Sequence, residues 1–219
     1  MEKDRAEGML ECDVVLNLFT TFIDNGDNRK IGAQENVLRA YQRLRKHGVM
    51  PWLFTTSEKW TKKAMEHDVM VVSDIATNRH GTPLLGHMYE TVRNITEKHC
   101  TPYPRYVFDS YTNGDIVFTK GLADTLSEVR RVWGHEISQG RRKGVMVIGK
   151  RTNVDYFDTQ LKSDAEVEEF SKKGHLFQND AIDYFAYLRG TVDWNRMPKF
   201  AVGRRAYDNW LVDNMFHKD

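Results

Sequence analysis

Short apolar runs alternate along this chain with segments in which apolar residues recur at helical spacing. The strand-like runs occupy residues 14–19, 50–55, 69–73 and 145–149. Val37, Tyr41 and Leu44 follow a helical repeat. The helix that they predict covers residues 31–47 and stops at Gly48, a residue type that often ends helices. This order of strands and helices predicts an α/β fold, in which helices cover both faces of a central, mostly parallel sheet.

Three further helices are predicted for residues 57–66, 119–133 and 163–172. The last of them opens with Ser163 and Glu166 in a capping-box pattern. Another helix is predicted to start with Thr82 as its cap and Pro83 as its first helical residue. Free backbone N–H groups at a helix start attract anions, so Gly81 and Thr82 are candidate ligand-binding residues.

The composition is that of a globular chain with one sizeable core, since 40% of its 219 residues are hydrophobic. We expect an N-terminal tail at residues 1–13 and a single domain at residues 14–219. The 32 basic and 31 acidic residues nearly balance, so the net charge gives no reason to expect binding to nucleic acid or to an anionic membrane. No run approaches the roughly 20 apolar residues of a membrane span, which predicts a soluble chain.

The two cysteines, Cys12 and Cys100, leave the compartment open. They fit either a reducing compartment or a single disulfide bond. The location is undecided between the cytoplasm and, if the chain is a trimmed ectodomain, the Golgi lumen.

The segment around Asn113 and Asp115, in the sequence YVFDSYTNGDIVF, is the first candidate site. It places both residues in a short turn between two strand-like runs. Acidic and amide side chains at a strand end can bind a divalent cation, and ligands of open α/β sheets tend to bind at such ends. The alternative is a plain hairpin turn, because Asn, Gly and Asp are ordinary turn residues.

Other charged residues are candidates on local grounds. Arg204 and Arg205 precede Asp208, which lies near the start of a predicted terminal helix. The two guanidinium groups can bind phosphate or carboxylate, and the Asp208 carboxylate can act as a general base. Alternatively, the arginines are solvated and Asp208 is a helix N-terminal charge. Arg151 and Asp183 border apolar runs, where they line a cleft or form surface charges.

Five blocks of sequence occur in an order and at a spacing that resemble a known family. The blocks are GTPLL, YTNGDIVF, VIGKRTNVD, AIDYFAY and MPKFAVGRRAYDNWLV. Together they are similar to the uncharacterised nucleotide-diphospho-sugar transferase group of the GT-A glycosyltransferase superfamily. The resemblance covers roughly residues 14–212.

The resemblance implies a GT-A fold, a Rossmann-like α/β/α sandwich with a central, mostly parallel sheet. It implies that Asn113 and Asp115 hold Mn²⁺ or Mg²⁺, with His217 as a further metal ligand near the C-terminus. An amide replaces the first acid of the family's metal motif, so Asp115 would carry the charge. Thr20 and Thr21, at the end of the first strand, would bind the nucleotide.

On the acceptor side, the resemblance makes Asp208 the general base. Asp183 would hold sugar hydroxyls or exchange roles with it. Asn209 and Trp210 follow Asp208 in the same block and are further candidate substrate-binding residues.

The predicted function is transfer of a sugar from a nucleoside diphosphate sugar, with a UDP-sugar favoured, to an acceptor hydroxyl that the sequence does not identify. Two alternatives stay open. One is a binding protein that keeps the fold without turnover. The other is a sugar-phosphate nucleotidyltransferase. Such enzymes have a glycine-rich, basic loop near the N-terminus, and residues 20–30 of this chain resemble that loop only faintly.

Overall fold

The computed structural model describes residues 12–100, 106–142, 144–155, 159–178, 181–204 and 207–216. Most of the predicted N-terminal tail, residues 1–11, lies outside these ranges. The strands are β1 Leu16–Thr21, β2 Val49–Phe54, β3 Met70–Val72, β4 Phe108–Thr112, β5 Met146–Gly149, β6 Thr152–Asn153, β7 His175–Leu176 and β8 Tyr184–Leu188.

The helices are α1 Asn28–Arg45, α2 Glu58–Glu66, α3 Leu85–His99, α4 Gly121–Ser138, α5 Asp164–Ser171 and α6 Tyr207–Phe216, with a short 3-10 helix at Trp194–Arg196. Among the described helices, none combines the length and apolar character that a membrane crossing requires.

Six strands form one mixed sheet in the order β3-β2-β1-β4-β8-β5. The first four are mutually parallel, whereas β8 runs antiparallel to both β4 and β5. Strands β6 and β7 form a separate antiparallel pair. The prediction of an α/β fold with a mostly parallel central sheet is therefore confirmed.

Helices cover both faces of this sheet because its strands alternate their apolar side chains between two core clusters. In β1, Leu16 and Leu18 join one cluster, whereas Phe19 joins the other. Helices α1, α2 and α4 supply the first cluster, and α3, α6 and the 3-10 helix supply the second. Each central strand is thus buried on both faces, as parallel strands require.

The order of connections creates a switch point between β1 and β4. From β1 the chain moves outward through β2 to β3, and then returns to place β4 on the opposite side of β1. Connections that leave two neighbouring strands in opposite directions open a crevice outside their carboxyl ends, where ligands of α/β proteins bind.

Helix α3 begins later than predicted. It starts at Leu85, so Thr82 is not its cap and Pro83 is not its first helical residue. Pro83 instead forms an isolated bridge with Thr77, and the Leu85 N–H donates to the Phe200 carbonyl at 2.9 Å. These long-range backbone contacts occupy the segment that local sequence assigns to the helix.

A buried polar network joins the central strands at the end opposite the switch point. The Trp52 indole N–H donates to Asn17 Oδ1 at 3.2 Å, and Asn17 Nδ2 donates to Asp109 Oδ1 at 2.9 Å. Arg189 binds the Asp109 carboxylate in bidentate fashion, at 2.6 and 2.8 Å, and reaches Thr96 Oγ1 at 2.8 Å. One network thus spans β2, β1, β4, α3 and the end of β8.

Burial and pairing act in opposite directions on the ionisation of Asp109. Burial raises the pKa of its carboxyl, and the hydrogen bond donated by Asn17 opposes that rise. Burial also lowers the pKa of Arg189. The bidentate contact between Asp109 and Arg189 favours the charged pair, because each ion would be left uncompensated without its partner.

The two cysteines form a disulfide bond in this structure. It joins Cys12 to Cys100 across 88 residues, with a Cα–Cα distance of 5.3 Å. Of the two alternatives that the sequence left open, the disulfide is the one that the structure contains. The bond ties the segment before β1 to the end of α3.

We predict that Asp109→Ala lowers the free energy of unfolding by about 3–5 kcal/mol, because it leaves the Arg189 guanidinium buried without its counter-ion. Chemical denaturation followed by circular dichroism measures this loss. The matched control is Glu128→Ala, which breaks an exposed pair with Arg131 and leaves stability nearly unchanged. A similar small effect for both variants would contradict the proposed importance of the buried network.

Candidate functional site

Asn113 and Asp115 lie in a turn directly after β4, at the switch point. The turn is closed by a hydrogen bond from the Ile116 N–H to the Asn113 carbonyl at 3.2 Å. Residues 116–118 form no strand, so the expectation of strands on both sides is wrong, and so is the hairpin alternative. The position of Asp115 just beyond the carboxyl end of a central strand agrees with the prediction.

Gly114 brings this turn into close contact with the end of β1. A Cβ atom at this position would lie 2.6 Å from the Thr21 carbonyl oxygen and 2.8 Å from a ring carbon of Phe22. The Thr20 hydroxyl adds a second link, because it donates to the Thr112 carbonyl at 2.7 Å. The turn is therefore held against β1, and only glycine fits at its centre.

Two cavities adjoin at this site. The larger one, of about 760 Å³, opens beside this turn. Its size falls in the range of about 300–1,000 Å³ that is typical of ligand sites. The apolar part of its wall includes Ile116, Phe118, Leu161 and Tyr184. Charged side chains of both signs complete the lining: Arg29, Lys30, Lys150 and Arg151, together with Asp115, Asp155, Glu168 and Asp183.

A smaller cavity of about 360 Å³ adjoins the larger one. The two share Asn113, Arg151 and Asp183, which we call the partition. Asp208 and Asn209, from the first turn of α6, line only the smaller cavity among these two. The structure thus places Asp115 and Asp208 in neighbouring cavities on opposite sides of one partition.

The partition is built around an ion pair between Arg151 and Asp183. The Asp183 side chain is 5% exposed and contacts Arg151 Nη1 through Oδ1. Its Oδ2 accepts a hydrogen bond from the Arg151 backbone N–H at 2.9 Å. Arg151 Nε donates to Asn153 Oδ1 at 2.8 Å, and the guanidinium lies 3.8 Å from the centre of the Phe177 ring.

Tyr207 lines the smaller cavity and packs against Tyr111. The rings of Tyr111 and Tyr207 meet edge to face with centroids 6.4 Å apart. Burial, with smaller contributions from Asp208 and Asp183, raises the pKa of Tyr207 to about 12. Burial likewise raises the pKa of Tyr111, and Asp115 adds to that rise. Both hydroxyls therefore stay protonated near neutral pH and can donate hydrogen bonds.

Other predicted site residues lie elsewhere. Thr20 is fully buried and its hydroxyl binds the β4 backbone, so it connects strands rather than facing a ligand. Neither Gly81 nor Thr82 lines either cavity, and the Thr82 N–H donates to Asn78 Oδ1 at 3.0 Å. Thr21 approaches the turn through its backbone carbonyl.

Of three further candidates near the C-terminus, Arg204 and Trp210 line neither cavity, and the third lies outside the described residues. Arg204 is exposed and lines neither cavity. The Trp210 ring packs 6.0 Å from that of Phe200, in the second core cluster. His217 lies outside the described residues.

Arg29, Lys30 and Lys150 line the larger cavity but are not among the predicted site residues. Arg29 and Lys30 belong to the first turn of α1, which contains no acidic residue after its cap, Asp27. Cations are disfavoured at the positive end of a helix dipole. Two of them in this turn are therefore a feature of the sequence that could have indicated a candidate site. The capping Asp27 offsets part of that cost.

The metal-ligating potential of the site is limited. Asp115 and Asn113 offer one carboxylate and one amide oxygen, donors that suit Mg²⁺ or Mn²⁺. Within the described ranges, no three histidine, cysteine, aspartate or glutamate side chains are arranged to hold a metal ion. The residues therefore fit an ion held jointly with ligand phosphates better than an ion held by protein alone.

We predict that Gly114→Ala costs about 1–3 kcal/mol of stability, because the new methyl group would force the Thr21 backbone away. Chemical denaturation measures the loss. Gly32→Ala is the matched control: its Cβ meets nothing within 4 Å, and a helix-interior alanine adds up to about 1 kcal/mol. A Gly114→Ala protein as stable as the wild type would show that the close contact is not required.

Comparison with known proteins does not assign a function to this chain. No protein-family model matches the chain, and no curated protein matches it either. The resemblance to GT-A transferases therefore stays a prediction.

Proposed function

We propose that this protein is a glycosyltransferase of the GT-A type, which moves a sugar from a nucleoside diphosphate sugar to an acceptor hydroxyl. The observation that carries this proposal is the pair of cavities at the switch point. Transfer between two substrates requires two adjoining sites with the reacting atoms near their boundary. Here the larger cavity contains Asp115, the smaller contains Asp208, and both share Asn113.

In this proposal the larger cavity holds the donor. This cavity lies between the turn after β4 and the first turn of α1, the helix that follows β1, and nucleotides bind in such a crevice of doubly wound sheets. Its cations can bind phosphate oxygens, and its apolar wall can accept a base or sugar ring. A UDP-sugar is the favoured donor.

The smaller cavity holds the acceptor, and Asp208 acts as the base. The acceptor oxygen forms a bond to the anomeric carbon of the sugar. The bond from that carbon to the diphosphate oxygen breaks, and its electron pair leaves with the nucleoside diphosphate. The acceptor proton passes to the Asp208 carboxylate.

Asp115 and Asn113 would hold a Mg²⁺ or Mn²⁺ ion in this reaction. Such an ion, when bound, neutralises charge on the diphosphate of the donor. The close approach of Gly114 to β1 fixes the turn that carries these two side chains. Tyr111 donates to Asn113 Oδ1 at 3.5 Å and orients its amide.

One observation favours a second candidate function, nucleotidyl transfer to a sugar phosphate. Enzymes of that kind bind phosphates with a basic segment after the first strand, and here Arg29 and Lys30 follow β1 and line the larger cavity. Incubation with a nucleoside triphosphate and a sugar phosphate distinguishes the two. Pyrophosphate release would favour this candidate over sugar transfer.

We predict that the protein binds UDP, GDP or one of their sugars, and that Mn²⁺ strengthens the binding. Isothermal titration calorimetry with Mn²⁺ and with EDTA measures both. Asp115→Ala should lower the affinity in Mn²⁺ by at least about tenfold, because it removes the charged ligand. If the wild-type protein bound none of these nucleotides under either condition, the proposed function would fail.

We predict that Asp208→Asn lowers the turnover number by about 10²- to 10⁴-fold, because an amide cannot take the acceptor proton. Donor hydrolysis or sugar transfer gives the rate, and calorimetry should show unchanged donor affinity. Asp213→Asn changes a carboxylate on the same helix that lines neither cavity, and should keep the wild-type rate. Full activity in Asp208→Asn would remove this residue from the role of base.

A further inference from the structure

Arg151 has a fixed position between the two cavities. Its guanidinium is oriented on three sides: by Asp183, by the Asn153 side chain and by the face of the Phe177 ring. The contact from Nε to Asn153 Oδ1 is 2.8 Å, and the ring centre lies 3.8 Å away. The side-chain entropy that a flexible arginine would lose on binding a ligand is therefore already lost in the folded protein.

The same guanidinium keeps hydrogen-bonding capacity for a ligand. A guanidinium has five N–H donors, and the contacts to Asn153 and Asp183 involve Nε and Nη1. In the part of the chain that the structure describes, Nη2 meets no acceptor, and the side chain is 31% exposed. Arg151 lines both cavities. Its remaining N–H groups therefore lie where a bound sugar donor and a bound acceptor would meet.

Asp183 is placed to orient this arginine rather than to react. Each of its two oxygens already accepts a hydrogen bond from Arg151, one from the backbone N–H and one from Nη1. Its own N–H donates to the Gly149 carbonyl at 2.8 Å, which fixes it at the start of β8. With 5% of its side chain exposed, Asp183 offers little surface to a sugar hydroxyl.

We infer that Arg151 binds the diphosphate of the donor, with Asp183 and Phe177 as positioning residues that act through it. This inference rests on the proposed function. A guanidinium matches the geometry of phosphate oxygens, and one held at the partition lies beside the bond that breaks. As that bond breaks, negative charge grows on the departing diphosphate, which a nearby fixed cation stabilises.

The test compares a nucleoside diphosphate with its parent nucleoside. The probe is UDP or GDP, whichever the wild-type protein binds more tightly, with uridine or guanosine as its partner. By calorimetry, Arg151→Met should lower the diphosphate affinity by about 10- to 100-fold and leave the nucleoside affinity unchanged. Methionine keeps an unbranched apolar stem and removes the guanidinium, together with its contacts to Asp183, Asn153 and Phe177.

Two further variants separate a phosphate contact from a folding defect. Arg151→Met with Asp183→Asn removes the unpaired carboxylate, and it should fold and bind the diphosphate as weakly as Arg151→Met alone. Asp183→Asn alone should weaken diphosphate binding less than Arg151→Met does. Arg141→Met, which breaks an exposed pair with Glu136, should bind like the wild type.

The outcomes are distinct. Wild-type diphosphate affinity in the folded double variant would overturn the inference and leave the proposed function standing. Equal losses for diphosphate and nucleoside would also overturn it, because they would show a general disturbance of the cavity. An additional loss on adding Asp183→Asn to Arg151→Met would show that Asp183 acts directly on the ligand, against its positioning role. Absence of nucleotide binding by the wild-type protein would overturn the proposed function itself.

Discussion

The pairing of Asp109 with Arg189 is the interaction on which the geometry of this protein depends. It places a charge inside the sheet, and that charge is tolerated only because Asn17 and Arg189 together satisfy it. Since Asn17 lies beside Asp109 in the register of β1 and β4, the network aligns these two strands at one end. The bond from Thr20 to Thr112 aligns them at the other end.

That alignment determines where the candidate site can form. The Asn113–Asp115 turn touches β1 through Gly114, so any slip between β1 and β4 would displace the carboxylate of Asp115. The antiparallel strand β8 starts beside the end of β4. Asp183, which directly precedes β8, therefore lies at the same edge of the sheet. A charged residue before β8 therefore arrives beside residues after β4 and β5. This explains how three distant segments of sequence build one partition.

The sequence predicted the elements whose signals are local. The helix through Val37, Tyr41 and Leu44, the Ser163 cap and the alternation of strands are all found, within a few residues at their ends. The sequence could not locate the start of α3, since backbone contacts with residues 200 and 201 decide it. Residues 116–118 have the composition of a strand, but none of the strands in the described ranges pairs with them.

Within the candidate site, local reasoning placed Asp115 beyond the carboxyl end of a strand, as the structure has it, but could not distinguish the carboxylates of Asp183 and Asp208. Asp183 and Asp208 are equivalent as sequence features, each an acid beside an apolar run. The structure separates them, because both oxygens of Asp183 are bound by Arg151, whereas Asp208 lies in the first turn of a helix facing the smaller cavity. A base must accept a proton from a ligand, so the carboxylate already bound by an arginine is the poorer candidate. Long-range pairing, which sequence periodicity does not encode, therefore distinguishes the two carboxylates.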